Sequence, residues 1–393
     1  MKRVYKLAFV AVIIIFIWVK LKDSHFSMTP AIVNVALNDI KSLDVVADKK
    51  AVHLLVAGQD TQHDHTTIKY GHLENGAFSW HDINDLDSKL NSIAARGNDT
   101  QLAVSGENLV ALWQVKGELP NMGPLISYYS HDGGKTWKKG TNPAGDDKGD
   151  QSHADIIADA SGYFHAVWLA DPEENGYQSL IYARSIDGGE HWELSKALDN
   201  STCSCCWNTL TLSPNGTLSV LYRDMKPRDM SIKQSVDRGD SWSEKITIGD
   251  FKWEFDGCPH IGGGLATDEN NALYSTVWTG QADIYGLYSL ASNDGGHHWS
   301  TPNLLSKLAS HSDISVNNKR VVTVWDERTA TNIGVYFAKS QDGGLSWSSK
   351  TRLSSASTLA GFPRIVPMGD DFIVMWTEKN DKQVTQLIIQ TLN

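Results

Sequence analysis

Past Lys22 the sequence has no basic run, and its formal net charge is −11. A surface of that sign repels a phosphate backbone, which argues against nucleic acid as a partner. The chain also lacks an apolar stretch of the ~20 residues that a membrane-spanning helix needs. Its longest, Leu7–Val19, follows the basic start Met1-Lys2-Arg3, and neither a small-x-small cleavage site nor a lipobox cysteine comes after it. Residues 1–22 therefore read either as a secretory signal peptide or as an uncleaved signal anchor inserted in a membrane, and 23–30 as a tether. The folded part is expected to be extracytoplasmic, periplasmic or secreted. Cysteine is scarce too, with four in the whole chain.

What the sequence has is a repeat. Ser130-His131-Asp132-Gly133-Gly134-Lys135-Thr136-Trp137 returns with Ser185, Asp187, Gly189 and Trp192; with Ser235, Asp237, Gly239 and Trp242; with Ser292, Asp294, Gly296 and Trp299; and with Ser340, Asp342, Gly344 and Trp347. The interval of about fifty residues suits one propeller blade. An Asp carboxylate that accepts backbone N–H groups a few residues on closes a tight turn, and Gly supplies the positive φ. A decayed copy, Asn75-Gly76 followed by Trp80, stands earlier. A second signal recurs before the boxes, an apolar pair closed by an aromatic, as in Ala111-Leu112-Trp113, Ala166-Val167-Trp168 and Thr323-Val324-Trp325.

These octapeptides are Asp boxes, and over roughly residues 30–393 the chain resembles the sialidase/neuraminidase superfamily of BNR-repeat β-propellers. The resemblance implies an all-β fold of four-stranded antiparallel blades, A to D, with the box between C and D. Strand A starts near Lys41, Ser92, Ser152, Cys205, Cys258, Ser310 and Gly361 give seven blades, with six as the alternative. The last unit runs out after strand C, so residues 31–37 are expected to supply its missing strand D and close the ring. Residues 31–393 are then one propeller.

Strand A lines the channel of a propeller, so the A starts and B ends share one face and the boxes share the other. The first face collects Arg96, Asp99, His153, Asp155, Trp207, His311, Asp313 and Arg364 from A starts, and Arg223, Asp224, Asp326, Glu327 and Arg328 from B ends. Charge at the same step of each repeat makes this the default site for a glycan or other small ligand. His153, Trp207, His311 and Asp313 are the expected ligand contacts.

In the sialidase superfamily an arginine cluster holds the sugar carboxylate by bidentate forks, a tyrosine–glutamate pair is the nucleophile, and an acid donates the proton. The resemblance suggests Arg96, Arg223, Arg328 and Arg364 for the cluster, Asp99 or Asp155 for the acid, and Tyr177, Tyr222 or Tyr285 for the nucleophile, with Asp224, Asp326 and Glu327 nearby. The family's Arg-Ile-Pro motif is approached only by Arg364-Ile365-Val366, in the last blade.

All four cysteines fall in Cys203-Ser204-Cys205-Cys206 and Cys258-Pro259-His260, which begin strand A of adjacent blades on this reading. In an extended segment Cys203 and Cys205 point one way and Cys206 the other. Three chemistries are open. These are disulfides, a Cu(I) or Zn(II) site made with His260, and a reactive thiol. Three functions follow from the face and the cysteines: a glycan-directed hydrolase of exo-sialidase type, a metal-handling protein, or a scaffold without a small-molecule site.

Overall fold

Strands Asp39–Ala47, Val52–Gln59, Thr66–Glu74 and Ala77–Asp82 pair in chain order as one antiparallel sheet, and that sheet is the unit of the molecule. The computed structural model describes residues 29–48, 51–59, 65–74, 76–83, 91–95, 97–118, 122–146, 148–171, 173 and 178–393. The signal or anchor expected over 1–22, most of the tether, Arg96 and Tyr177 lie outside them. Among the described residues every regular element is a strand, and the strands form seven four-stranded blades in a ring. The innermost strand of the second blade is split, Ser92–Ile93 and Gln101–Ser105 both pairing with Asn108–Val115. Six blades are ruled out, because the first unit is a full sheet and no ornament.

The ring closes as the sequence requires. The seventh blade consists of Leu359–Met368, Asp371–Lys379 and Thr385–Leu392, and its fourth strand is Ala31–Val33, with Val33 opposite Leu387 and Ala31 opposite Ile389. The closing strand is shorter than the expected 31–37. Asn34 Oδ1 accepts the Ala36 N–H at 3.2 Å, and Ala36 has a φ of 56°, so the chain turns there toward the first blade.

Eight buried clusters sit between neighbouring blades, two of them between the fifth and the sixth. One joins Val33, Leu387 and Ile389 of the seventh blade to Leu54 and Val56 of the first. The others repeat this around the ring, with the recurrent strand B aromatics Trp113, Trp168, Tyr222, Trp325 and Trp376 all buried. Each such side chain contributes roughly 1.5–3 kcal/mol by leaving water.

The Asp boxes are turn staples on the outer C–D corners. Asp132 Oδ1 accepts Thr136 N–H at 2.9 Å, and Ser130 Oγ accepts Gly134 N–H at 2.9 Å and donates to Asp132 Oδ1 at 2.8 Å. The Thr136 hydroxyl, which donates to Asp132 Oδ2 at 2.6 Å, and then the Thr136 N–H hold the Asp132 carboxyl well below the usual range. Gly134, with a φ of 85°, has a second reason to be glycine. A Cβ there would stand 2.2 Å from the Tyr70 ring of the preceding blade. Each box thus stitches its own hairpin and presses on its neighbour.

Candidate functional site

The inner strands build the site in two layers. In the lower one the seven blades present Asp44, Gln101, Asp155, Thr209, Gly264, Asp313 and Arg364 at one step of the repeat, all but Gly264 lining a central cavity of about 540 Å³. The three Asp residues are pins between blades. Asp44 Oδ2 accepts Leu102 N–H at 2.8 Å, Asp155 Oδ2 accepts Leu210 N–H at 2.6 Å, and Asp313 Oδ2 accepts Ile365 N–H at 2.9 Å. Burial pushes Asp44 up to about 7 and Asp155 up to about 6, and raises Asp313, against the pull of Arg364. Arg364 faces all three and lies 3.6 Å from Asp99. So Asp155, Asp313 and Arg364, expected at an active face, stand in the channel wall and join blades.

Two residues earlier in each blade, on the inner strand or just before it, is the mouth layer: Ser42, Asp99, His153, Trp207, Gly262, His311 and Phe362. Register shifts open the strands at Ser152/Asp155, Ala309/Ser312 and Gly361/Arg364, turning His153, His311 and Phe362 out of the ladder, while a shift at Ile40/Ser42 frees Lys41 and leaves Ser42 paired with Ala57. His153 and Phe362 take φ values of 53° and 55°, a left-handed conformation that side chains rarely adopt. His311 stacks on Phe362 with ring centroids 4.0 Å apart, and the Trp207 ring lies tilted 5.4 Å from it. Trp207 reaches that far because the blade between contributes Gly262, whose Cβ would meet Trp207 Nε1 at 2.3 Å.

Asp326 fixes the histidine. Its Oδ2 lies 2.8 Å from His311 Nδ1, and it also accepts the Phe362 N–H at 2.9 Å. A carboxylate at Nδ1 selects the tautomer with the proton there and leaves Nε2 its lone pair. Beside the dyad opens a cleft of about 320 Å³, lined by His311, Asp326, Phe362, Lys41, Arg328 and Lys379. Two of the expected residues, His311 and Asp326, therefore meet, with Arg328 on the same cleft. Phe362, Lys41 and Lys379 are not among the site residues expected from the sequence. The repeat step that gives His153 and His311 also gives Phe362, which was the available signal.

The remaining expected residues serve the fold. Arg223 is 1 % exposed and donates to the carbonyls of Ile261, Arg228 and Trp278, its guanidinium 5.4 Å from the Trp253 ring. It is not available to a sugar carboxylate. Asp224 pairs with Lys245. Buried Glu327 accepts from Trp325 Nε1 at 2.9 Å and pairs with Lys350 at 2.7 Å, and Glu378 accepts from Trp376 Nε1 at 3.0 Å. Tyr222 donates to Asp199 at 2.8 Å in the core, and Tyr285 is exposed under Lys307. His153 is buried beside Ser152 Oγ at 2.8 Å, and burial lowers it to about 4.

The cysteines lie before the inner strands, which begin at Thr209 and Gly264, and not on them. A turn at Ser204-Cys205 replaces the expected extended segment, so all three thiols of the first group converge. Cys203 Sγ is 3.7 Å from both Cys205 Sγ and Cys206 Sγ, and Arg228 Nη1 donates to it at 2.9 Å. Bonds from its two neighbours hold the Cys203 thiol far below its ordinary range, while burial pushes Cys206 up to about 12. Cys205 is also grouped with exposed Cys258 and His260. All four thiols are free.

The fold has solved relatives. Polysaccharide lyase Uly1 superposes with a TM-score of 0.60 at 12% identity, covering 95% of this chain and 94% of that one. The intramolecular trans-sialidase from Ruminococcus gnavus gives 0.50 at 10% identity over 91% and 95%. The NanB sialidase from Streptococcus pneumoniae gives 0.50 at 10% over 94% and 70%. No curated protein matches. The expected resemblance to the BNR-repeat sialidase superfamily holds, and since the BNR repeat-like domain family matches residues 42–285, the chain belongs to that family.

Proposed function

We propose that this propeller acts on an anionic glycan in the cleft beside His311, with His311 as the group that moves the proton. The observation that carries this is the fixed imidazole: stacked on Phe362, bonded through Nδ1 to Asp326, and lining a cleft that also bears Lys41, Arg328 and Lys379. Cations around an acid–base histidine suit a sugar carboxylate whose neighbouring proton must be removed. Three solved relatives of this fold carry the names of a polysaccharide lyase and two sialidase-type enzymes, which supports a glycan as the ligand.

The exo-sialidase form of this reading needs clustered guanidiniums and a tyrosine nucleophile. Among the described residues only Arg328, of the arginines expected to cluster, lines the cleft, and Tyr222 is bonded inside the core. The geometry favours elimination. His311 Nε2 takes the proton beside the carboxylate, a C=C bond forms as the C–O bond to the next sugar breaks, and the departing oxygen takes a proton from water. Incubation with uronate-bearing, sialylated and neutral glycans tests this. New reducing ends with an unsaturated, ultraviolet-absorbing uronate are expected from the uronate-bearing class. Cleavage of neutral glycans alone, or release of free sialic acid, overturns it.

We propose likewise that residues 1–22 carry the propeller out of the cytoplasm. Fractionation of cells expressing the full chain, with N-terminal sequencing, tests that step and separates a cut signal from a retained anchor.

A further inference from the structure

Cys203, Cys205 and Cys206 are 0 %, 5 % and 1 % exposed, so three polarisable sulfurs face one another away from water. Their ligand atoms, like those of the group Cys205, Cys258 and His260, all lie within 4.8 Å of one another. Cys205 belongs to both groups, the first buried and the second at the exposed mouth. The loop that brings Cys258 and His260 runs without regular structure from the strand Ile246–Ile248 to the strand Gly264–Thr267. It is fastened midway by Arg228, which donates to Phe255 O at 2.5 Å.

We propose that this cluster is a Cu(I) site: the buried trio Cys203, Cys205 and Cys206 holds the ion, and Cys258 with His260 hands it inward through the shared Cys205. Metal–thiolate bonds of about 2.3 Å around a trigonal ion set sulfurs about 4.0 Å apart, against the 3.7 Å found for the two spacings from Cys203. A few tenths of an ångström of expansion suffices. Soft thiolates select Cu(I), which is satisfied by three ligands, whereas Zn(II) demands a fourth that this buried trio does not offer. Three thiolates around one monovalent ion carry a net negative charge. Arg228, 2.9 Å from Cys203, and the neighbouring Arg223 offset it. The inference does not depend on the glycan reading, since none of these residues lines the His311 cleft.

The test uses the purified, reduced protein under anaerobic conditions, titrated with Cu(I) against a chromogenic chelator and separately with Zn(II). About one Cu(I) per chain is expected to be retained, with three sulfur neighbours by X-ray absorption, and the thiols of the trio protected from alkylation. Cys206→Ser loses that copper, whereas His260→Ala keeps it and fills more slowly. Arg228→Gln weakens retention by about 10- to 100-fold, the effect of losing an outer-shell partner. Because Cys206→Ser could fail to fold, the wild-type protein supplies a second readout, a rise of its Tm on Cu(I) addition. No retained copper and no rise, tighter retention of Zn(II) than of Cu(I), or disulfides in the protein isolated from an oxidising compartment would each overturn the proposal.

Discussion

Arg364→Met removes the guanidinium that faces Asp44, Asp99, Asp155 and Asp313 in the channel while keeping most of the aliphatic bulk. Deleting one partner of a buried charge cluster costs about 3–5 kcal/mol, and here the cost depends on pH. Asp44 and Asp155 are raised to about 7 and about 6, so near pH 5 both hold protons and there is less negative charge to neutralise. Folded pKa values above the unfolded ones mean that their stabilising contribution is complete below about pH 4 and is lost as pH rises through 6 to 7. A tenfold difference in proton affinity between the folded and unfolded chain corresponds to about 1.4 kcal/mol. The wild-type chain is therefore expected to lose on the order of 7 kcal/mol between about pH 4 and pH 8, and the variant to lose more, because without Arg364 the carboxyls rise further. Urea unfolding at about pH 5 and about pH 8 measures both, and Asp44→Asn in the Arg364→Met background should restore part of the loss at the higher pH. A cost that is equal at the two pH values, or below about 1 kcal/mol at both, would refute the reading of the channel as a shared-charge cluster.

The box staple predicts that Ser130→Ala, which strips the buried Gly134 N–H of its acceptor, destabilises by about 1–3 kcal/mol in chemical denaturation. Gly134→Ala should cost more than Gly145→Ala, since both glycines have positive φ but only Gly134 abuts Tyr70. Comparing the two melting curves separates backbone strain from the clash. Val33→Asp buries a charge in the closing strand and should open the ring, read as fast amide exchange in Thr385–Leu392 with the distant fourth blade still protected.

The fold was legible because its rules are local and repeated. Five boxes and the recurrent strand B aromatics mark the same corners in successive blades, and the truncated last unit called for a strand from the other end of the chain. The boundaries of that strand were not legible, since the turn at Ala36 depends on a backbone conformation that no residue type dictates. The site was legible as a face and not as an arrangement. Periodicity brought His311 and Asp326 to one side of the molecule, but it could not tell Asp326, which orients a histidine, from Asp155 and Asp313, which pin neighbouring blades. Arg223 misled for a similar reason. An arginine at the end of an inner strand reads as a ligand contact, yet its guanidinium turns inward to three carbonyls. The cysteines converged through a turn where an extended strand was expected, so alternation of side chains gave the wrong pairing of directions.

The account stands on His311 as the proton-moving group of a cleft that binds anionic sugar. Its most direct test is steady-state kinetics of His311→Gln beside Arg328→Ala on the glycan that the wild-type protein cleaves. His311→Gln keeps a hydrogen-bonding side chain but loses the base, so kcat should fall by about 100-fold or more with KM little changed, as for loss of a general base. Arg328→Ala should raise KM with a smaller effect on kcat. Wild-type turnover by His311→Gln would contradict the account, because no rearrangement of the surrounding cations could then make this imidazole the group that moves the proton.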